Sequence, residues 1–243
     1  MRLLACVSYK GTNYQGWQKQ KNAPTIQGTI ESVLSKILNQ EINIYASGRT
    51  DAGVHAVHQY FHFDLEKEVD IDRLMYSTNC LLPQDIRINS LKRVSDDFHS
   101  RFSAKKKEYV YIANLKGNNP FNYEINAEMF LEIQDNLLKK SLELFVGKHN
   151  FQDFTSKEID DDSFVREVYS AEFKRVGDQI IISFVGNGFM RYQVRDMVAT
   201  AFAVASGKEE LSFISQHLQK NKEREIVSYK APAEGLYLQE VYY

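Results

Sequence analysis

The residues most able to do chemistry lie together at positions 46–56, Ala-Ser-Gly-Arg-Thr-Asp-Ala-Gly-Val-His-Ala. Gly48 and Gly53 bracket one carboxylate, Asp51, with Arg49 two residues before it and His55 four after. Apolar segments at 42–45 and 57–63 read as strands, so the cluster falls on a tight connection where backbone can approach a ligand closely. The same pattern also describes a plain polar turn. Three roles are open to Asp51, namely ion pairing, general acid–base work and nucleophilic attack. Hydrolysis by paired carboxylates needs a second acid, and nothing in the sequence designates one. Serine catalysis needs a Gly-x-Ser-x-Gly elbow, which is absent. A metal site drawn from Asp51, His55, His58 and His62 fits poorly, because His58 and His62 on one strand stand about 13 Å apart. A nucleophilic aspartate must stay ionised in a partly dry site, which calls for a nearby cation. Arg49 and Arg195 are the candidates. Arg191 and Arg195, four apart, read as sharing one helical face, a pattern that equally describes a solvated helix surface.

The elements that must position these groups follow from periodicity and punctuation. A strand over 2–9 runs into a turn at Lys10-Gly11-Thr12-Asn13. Tyr14-Gln15-Gly16-Trp17-Gln18 is a loop holding the single Trp, read as a lid on the surface. Thr25 caps a helix whose apolar positions Ile26, Ile30, Val33, Leu34, Ile37 and Leu38 keep helical spacing to about 39. Strands at 42–46 and 57–64 flank the Asp51 loop. Asp70 or Asp72 caps a short helix that Pro83 ends, and a strand covers 86–94. Beyond a polar connection at 95–104 come a strand over 109–115, a loop signal at Gly117-Asn118-Asn119-Pro120 and a helix over about 127–145 with Phe130, Ile133, Leu137, Leu138 and Leu142 on one stripe. Residues 148–163 read as loop. Strands at 165–174 and 179–185 join through Gly177-Asp178. A helix covers about 189–205 and stops at Gly207, a further helix near 209–219 reads as an insertion, and 236–242 is a terminal strand. Both halves thus read β-α-β-β-α-β. The expected fold is α+β: two ferredoxin-like units related by pseudo-twofold symmetry, with largely antiparallel sheets forming a central cleft. The first unit spans 1–104 and carries the Asp loop; the second spans 105–243.

Composition narrows the class. At 243 residues, 43% apolar and 26% charged, the chain is globular and large enough for a substantial core. No run of 18 apolar residues exists, so no membrane association is expected, and the short start at 1–9 does not read as a signal peptide. Cys6 and Cys80 make no metal-spaced pair, and a reduced, cytoplasmic protein is the expectation. The net charge of −2 gives no global attraction to nucleic acid. A local patch would suffice, and Arg101, Lys105-Lys106-Lys107, Arg191 and Arg195 could supply it, with acidic surplus at 158–162 and 209–210. Fifteen Phe and fourteen Tyr leave stacking surfaces to spare beyond the core.

The motifs themselves resemble one family. Gly48 to Ala56 is similar to the Gly-Arg-Thr-Asp-Ala-Gly-Val-His-Ala loop of the tRNA pseudouridine synthase A family. Tyr9-Lys10-Gly11 with Tyr14 to Gln20, Thr25 to Gly28, Phe98 to Ala104 followed by Lys107 to Tyr111, Asn187 to Val198, and Ala231 to Leu238 resemble its other segments. Asp196 stands where Asn is expected and Ala199 where Gly is usual. The resemblance implies isomerisation of uridine to pseudouridine at nucleotides 38 to 40 of the tRNA anticodon stem-loop, without cofactor or metal, by a homodimer holding tRNA in basic clefts. It implies Asp51 as nucleophile, Arg195 as its ion-pair partner, and Arg49 as a catalytic group that helps hold a flipped-out nucleotide. Tyr109 would lie against the target base, with Arg101, Gly48 and Thr50 also binding substrate. Read from its strand alone, Tyr109 is a core aromatic. The alternative function is a tRNA-binding protein of the same fold that lacks catalysis.

Overall fold

The structure is a computed structural model that describes residues 1–117, 120–156, 164–219 and 223–243. The loop signal at Asn118-Asn119 and the acidic run at 158–162 lie outside the described residues. In chain order the elements are β1 (Arg2–Tyr9), α1 (Ile26–Leu38), β2 (Tyr45–Ala46), β3 (His55–Asp64), α2 (Ile71–Leu81), β4 (Ile86–Val94), β5 (Lys106–Asn114), β6 (Ala127–Glu128), α3 (Asp135–Phe145), β7 (Gly147–Asn150), β8 (Val165–Val176), β9 (Gln179–Gly186), α4 (Gln193–Ala205), α5 (Leu211–His217) and β10 (Leu236–Tyr242). The fold is α+β with largely antiparallel sheets. Two compact units are present: residues 1–105 with 237–243, and residues 106–236. The terminal strand, read from sequence as closing the second half, thus groups with the first.

In the first unit β1 lies between β4 and β3, both antiparallel to it, and β2 follows on the far side of β3. This is the ferredoxin-like order. β10 adds to the same edge of β3 in parallel, Tyr237 opposite His55 and Leu238 opposite Ala56. Leu3 to Val7, Ile26, Ile30, Phe61, Phe63, Ile86 and Ile88 form the core. The Thr25 hydroxyl accepts the Gly28 N–H and starts α1; Asp70 accepts the Arg73 N–H and starts α2. The strand expected over 42–46 shrinks to two residues. Its donors are taken by α1: the Ile42 N–H reaches the Ser35 hydroxyl at 2.9 Å and the Ile44 N–H the Glu31 carboxylate at 3.1 Å. Trp17 is buried between Tyr9 and Phe61, not a surface lid.

The second unit has the strand order β5-β9-β8-β7, all antiparallel, with α3, α4 and α5 packed together. α4 is buried on almost every side, as its Ala-, Val- and Met-rich sequence requires. Three expectations change here. The helix expected from 127 begins only at Asp135, because residues 127–128 pair with β5 and the Met129 N–H bonds the Asn114 carbonyl; Phe130 is exposed instead of lying on a buried stripe. The loop expected over 148–163 begins with β7, which pairs with β8. The helix expected from 189 starts at Gln193, after Tyr192 takes a left-handed conformation with φ 65°, so Arg191 does not share a helical face with Arg195.

The cap on α1 gives a direct test. Thr25→Ala is expected to cost about 1 kcal/mol and lower Tm by about 2–4 °C, read by thermal unfolding; Thr25→Ser should retain most of the stability.

Candidate active site

Asp51 is half-buried in a loop whose backbone is pinned from behind by the β1–α1 connection. The Trp17 N–H donates to the Thr50 carbonyl at 3.1 Å, and the Gly53 N–H to the Tyr14 carbonyl at 3.3 Å. The loop closes on itself where the Val54 N–H meets the Asp51 carbonyl at 3.2 Å. Side chains finish the mount. The Tyr9 and Thr50 hydroxyls pair at 2.8 Å in the core, and the Gly11 N–H donates to His55 Nδ1 at 2.9 Å. Gln59 donates to the Gly48 carbonyl at 2.8 Å and also meets the Ser47 hydroxyl. Two glycines make this closeness possible. A Cβ on Gly11 would stand 2.0 Å from the Val54 carbonyl oxygen, and one on Gly16 2.7 Å from that of Thr50; Gly16 also has φ 84°, which other residues rarely adopt. Arg49 is exposed on the loop, Gly48 half-buried and Thr50 buried.

The second unit carries Tyr109 and Arg195. Tyr109 lies on β5 opposite Phe184, only 9% exposed, with its ring edge-on to Phe189 at 5.3 Å. Its position therefore agrees with a strand aromatic set at the border of a core. Arg195, in the first turn of α4, donates through Nε to the Ala231 carbonyl at 2.7 Å, and the Ala231 N–H returns a bond to the Arg195 carbonyl at 3.2 Å. Its guanidinium lies 5.4 Å from the centre of the Tyr192 ring. Asp196 beside it is buried in α4.

The histidines have structural occupations. His55 takes the Gly11 N–H and lies against Tyr237. His58 Nδ1 is 2.8 Å from Glu240. His62 is joined to the Ser100 hydroxyl at 2.9 Å under Tyr45, and burial, helped by the charge of Arg2, pushes its pKa down to about 4. Among the described residues no group of three or more His, Cys, Asp or Glu side chains is placed to hold a metal ion. Arg101 is exposed, 5.6 Å from the Phe102 ring centre. The lysine run is divided: Lys105 is exposed and belongs with the first unit, while Lys106 and Lys107 are half-buried in β5. Sequence reasoning missed Tyr9, Gly11, Tyr14, Gly16, Trp17 and Gln59 as the mount of the Asp51 loop. The odd Gly-Trp segment at 14–18 was the available signal.

The fold and this loop define an α+β domain that presents one anchored carboxylate flanked by a cation. A family model for tRNA pseudouridine synthases matches residues 5–103 and 142–243. The chain is 39% identical over its whole length to tRNA pseudouridine synthase A of an Exiguobacterium species, covering 98% of that protein. It is 35% identical over its whole length to tRNA pseudouridine synthase A of Staphylococcus aureus strain JH1, covering 91%. A solved Cbf5-Nop10-Gar1 complex aligns over 97% of this chain and 57% of that one at 14% identity and TM-score 0.42, too remote to bear on the site. The chain belongs to the tRNA pseudouridine synthase family.

The close approach of Gly16 to the loop predicts that Gly16→Ala displaces the Thr50–Asp51 backbone. We expect a stability loss of about 1–3 kcal/mol and a much larger fall in pseudouridine formation on tRNA, measured side by side by thermal unfolding and single-turnover assay. Activity falling only in step with unfolding would show that the loop tolerates the shift.

Proposed function

We propose that this protein isomerises uridine to pseudouridine in the anticodon stem-loop of tRNA, at nucleotides 38 to 40, with Asp51 as nucleophile. Arg195 and Arg49 are the catalytic cations, Tyr109 lies against the target base, and Arg101, Gly48 and Thr50 contact the substrate. The protein acts in the cytoplasm as a homodimer. In the reaction the bond from uracil N1 to ribose C1′ breaks, the base turns, and a C5–C1′ bond forms. C5 loses its proton and N1 gains one, so composition and oxidation state are unchanged and the net reaction needs no external reductant or oxidant. The target nucleotide leaves its stack to reach the carboxylate, and an aromatic side chain offers it a new face.

The observation that carries this reading is the anchored Asp51 loop within a chain of this family. A plain turn does not need two main-chain bonds, two glycines in near-contact and a buried Tyr–Thr pair behind it. Such a mount holds the backbone that carries the carboxylate in one geometry, which favours attack on a positioned carbon. The charge pattern is compatible: Arg49 and Arg101 are exposed cations on the same unit as Asp51.

Two substitutions test the assignment. Asp51→Asn preserves shape and removes the charge; we expect pseudouridine formation on a tRNA anticodon arm to fall by at least about a thousandfold, with RNA binding retained. Ordinary turnover by the Asn variant would remove Asp51 from the nucleophile role, and a wild type that binds tRNA without forming pseudouridine would favour the non-catalytic binding protein. Arg195→Ala is expected to lose activity while binding tRNA within a fewfold of wild type. Equal loss of both would make Arg195 a phosphate contact.

A further inference from the structure

We propose that Arg191, Tyr192 and Lys230 form a phosphodiester-binding site for the RNA substrate, a role that rests on the RNA-isomerase reading. Three cationic side chains converge on one aromatic ring in the second unit. The Lys230 ammonium lies 4.0 Å from the Tyr192 ring centre, the Arg191 guanidinium 4.8 Å and that of Arg195 5.4 Å. Arg191 also donates to the Tyr192 hydroxyl at 3.0 Å. None of the three cations has a carboxylate partner among the described residues. Like charges gathered in this way repel one another. The π face of the ring offsets part of that repulsion, and a bound anion would remove more.

The arrangement is built rather than incidental. Tyr192 holds φ 65°, an unusual conformation for a residue with a side chain, immediately before the first turn of α4. The Arg191 carbonyl is fixed by the Thr155 hydroxyl at 2.8 Å. The reciprocal bonds between Arg195 and Ala231 hold the residue after Lys230 against the same helix start. Arg191 and Lys230 remain exposed, so their charged ends are accessible to a large ligand. The amino end of α4 adds its own partial positive charge. A chain with net charge −2 needs such a local concentration of cations to attract a polyanion.

The test measures binding of a tRNA anticodon stem-loop by fluorescence anisotropy between 50 and 300 mM KCl, with Lys230→Ala, Arg191→Ala and Lys230→Arg. Thermal unfolding checks that each variant is folded. Each alanine variant is expected to weaken binding about three- to tenfold at 100 mM salt and to flatten the slope of log affinity against log salt by about 0.7–0.9, the mark of one lost phosphate contact. Lys230→Arg should restore the wild-type slope. Unchanged affinity and slope in both alanine variants would overturn the proposal, and so would weaker binding with the slope intact, which would mean that the residues act through packing. Pseudouridine formation by wild type is followed on the same RNA. If wild type binds with the expected salt dependence but makes no pseudouridine, the isomerase reading fails while the phosphate site stands.

Discussion

The near-contact of the β1–α1 connection with the Asp51 loop is the constraint on which the first unit depends. Backbone meets backbone at Gly11 and Gly16 with no room for a side chain. Two main-chain bonds then cross the gap, from Trp17 to Thr50 and from Gly53 to Tyr14. Because the Trp17 ring is buried against Tyr9 and Phe61, the connection is itself anchored in the core. The backbone that carries Asp51 is therefore tied to the sheet by short links, and little of its loop is left to fluctuate.

Charge is handled differently in the second unit. Its helix α4 is nearly all apolar or small, so it serves as a buried post, and the cations Arg191 and Arg195 stand just before it and in its first turn. There the left-handed Tyr192 ends the preceding turn and offers its ring to Arg191, Arg195 and Lys230. The histidines illustrate the opposite outcome. His55, His58 and His62 lie close together in sequence, and each is engaged by a different partner. His55 holds a backbone N–H, His58 meets an acidic neighbour, and His62 bonds a buried serine hydroxyl. Burial of His62 disfavours its charged form and leaves it neutral near pH 7.

Local signals were enough wherever one residue and its neighbours decide the conformation. Thr25 caps α1 as read, Asp70 of the two candidate aspartates caps α2, Gly177-Asp178 turns the β8–β9 hairpin, and β1 and β4 occupy the expected residues. Reading failed where a backbone had two competing partners. Residues 127–129 read as the start of a helix, but the end of β5 takes their hydrogen bonds first. Ile42 and Ile44 are buried and apolar, but Ser35 and Glu31 of α1 satisfy their N–H groups in place of a neighbouring strand. β7 is short and polar, and only its pairing with β8 makes it a strand.

The sequence by itself determined the α+β class, the starts of α1 and α2, and the motif around Asp51 that assigns the family, because capping, periodicity and an ordered run of residue types are local properties. It could not determine that Trp17 is core, that Tyr9, Gly11 and Gln59 mount the loop, or that Lys230 meets Tyr192. Those facts depend on groups that are distant in the chain and adjacent in space. Which of them meet is set by strand register, by which carbonyl reaches a given N–H first, and by whether a Cβ leaves room for the approach. Such competition is settled only when the whole unit has folded.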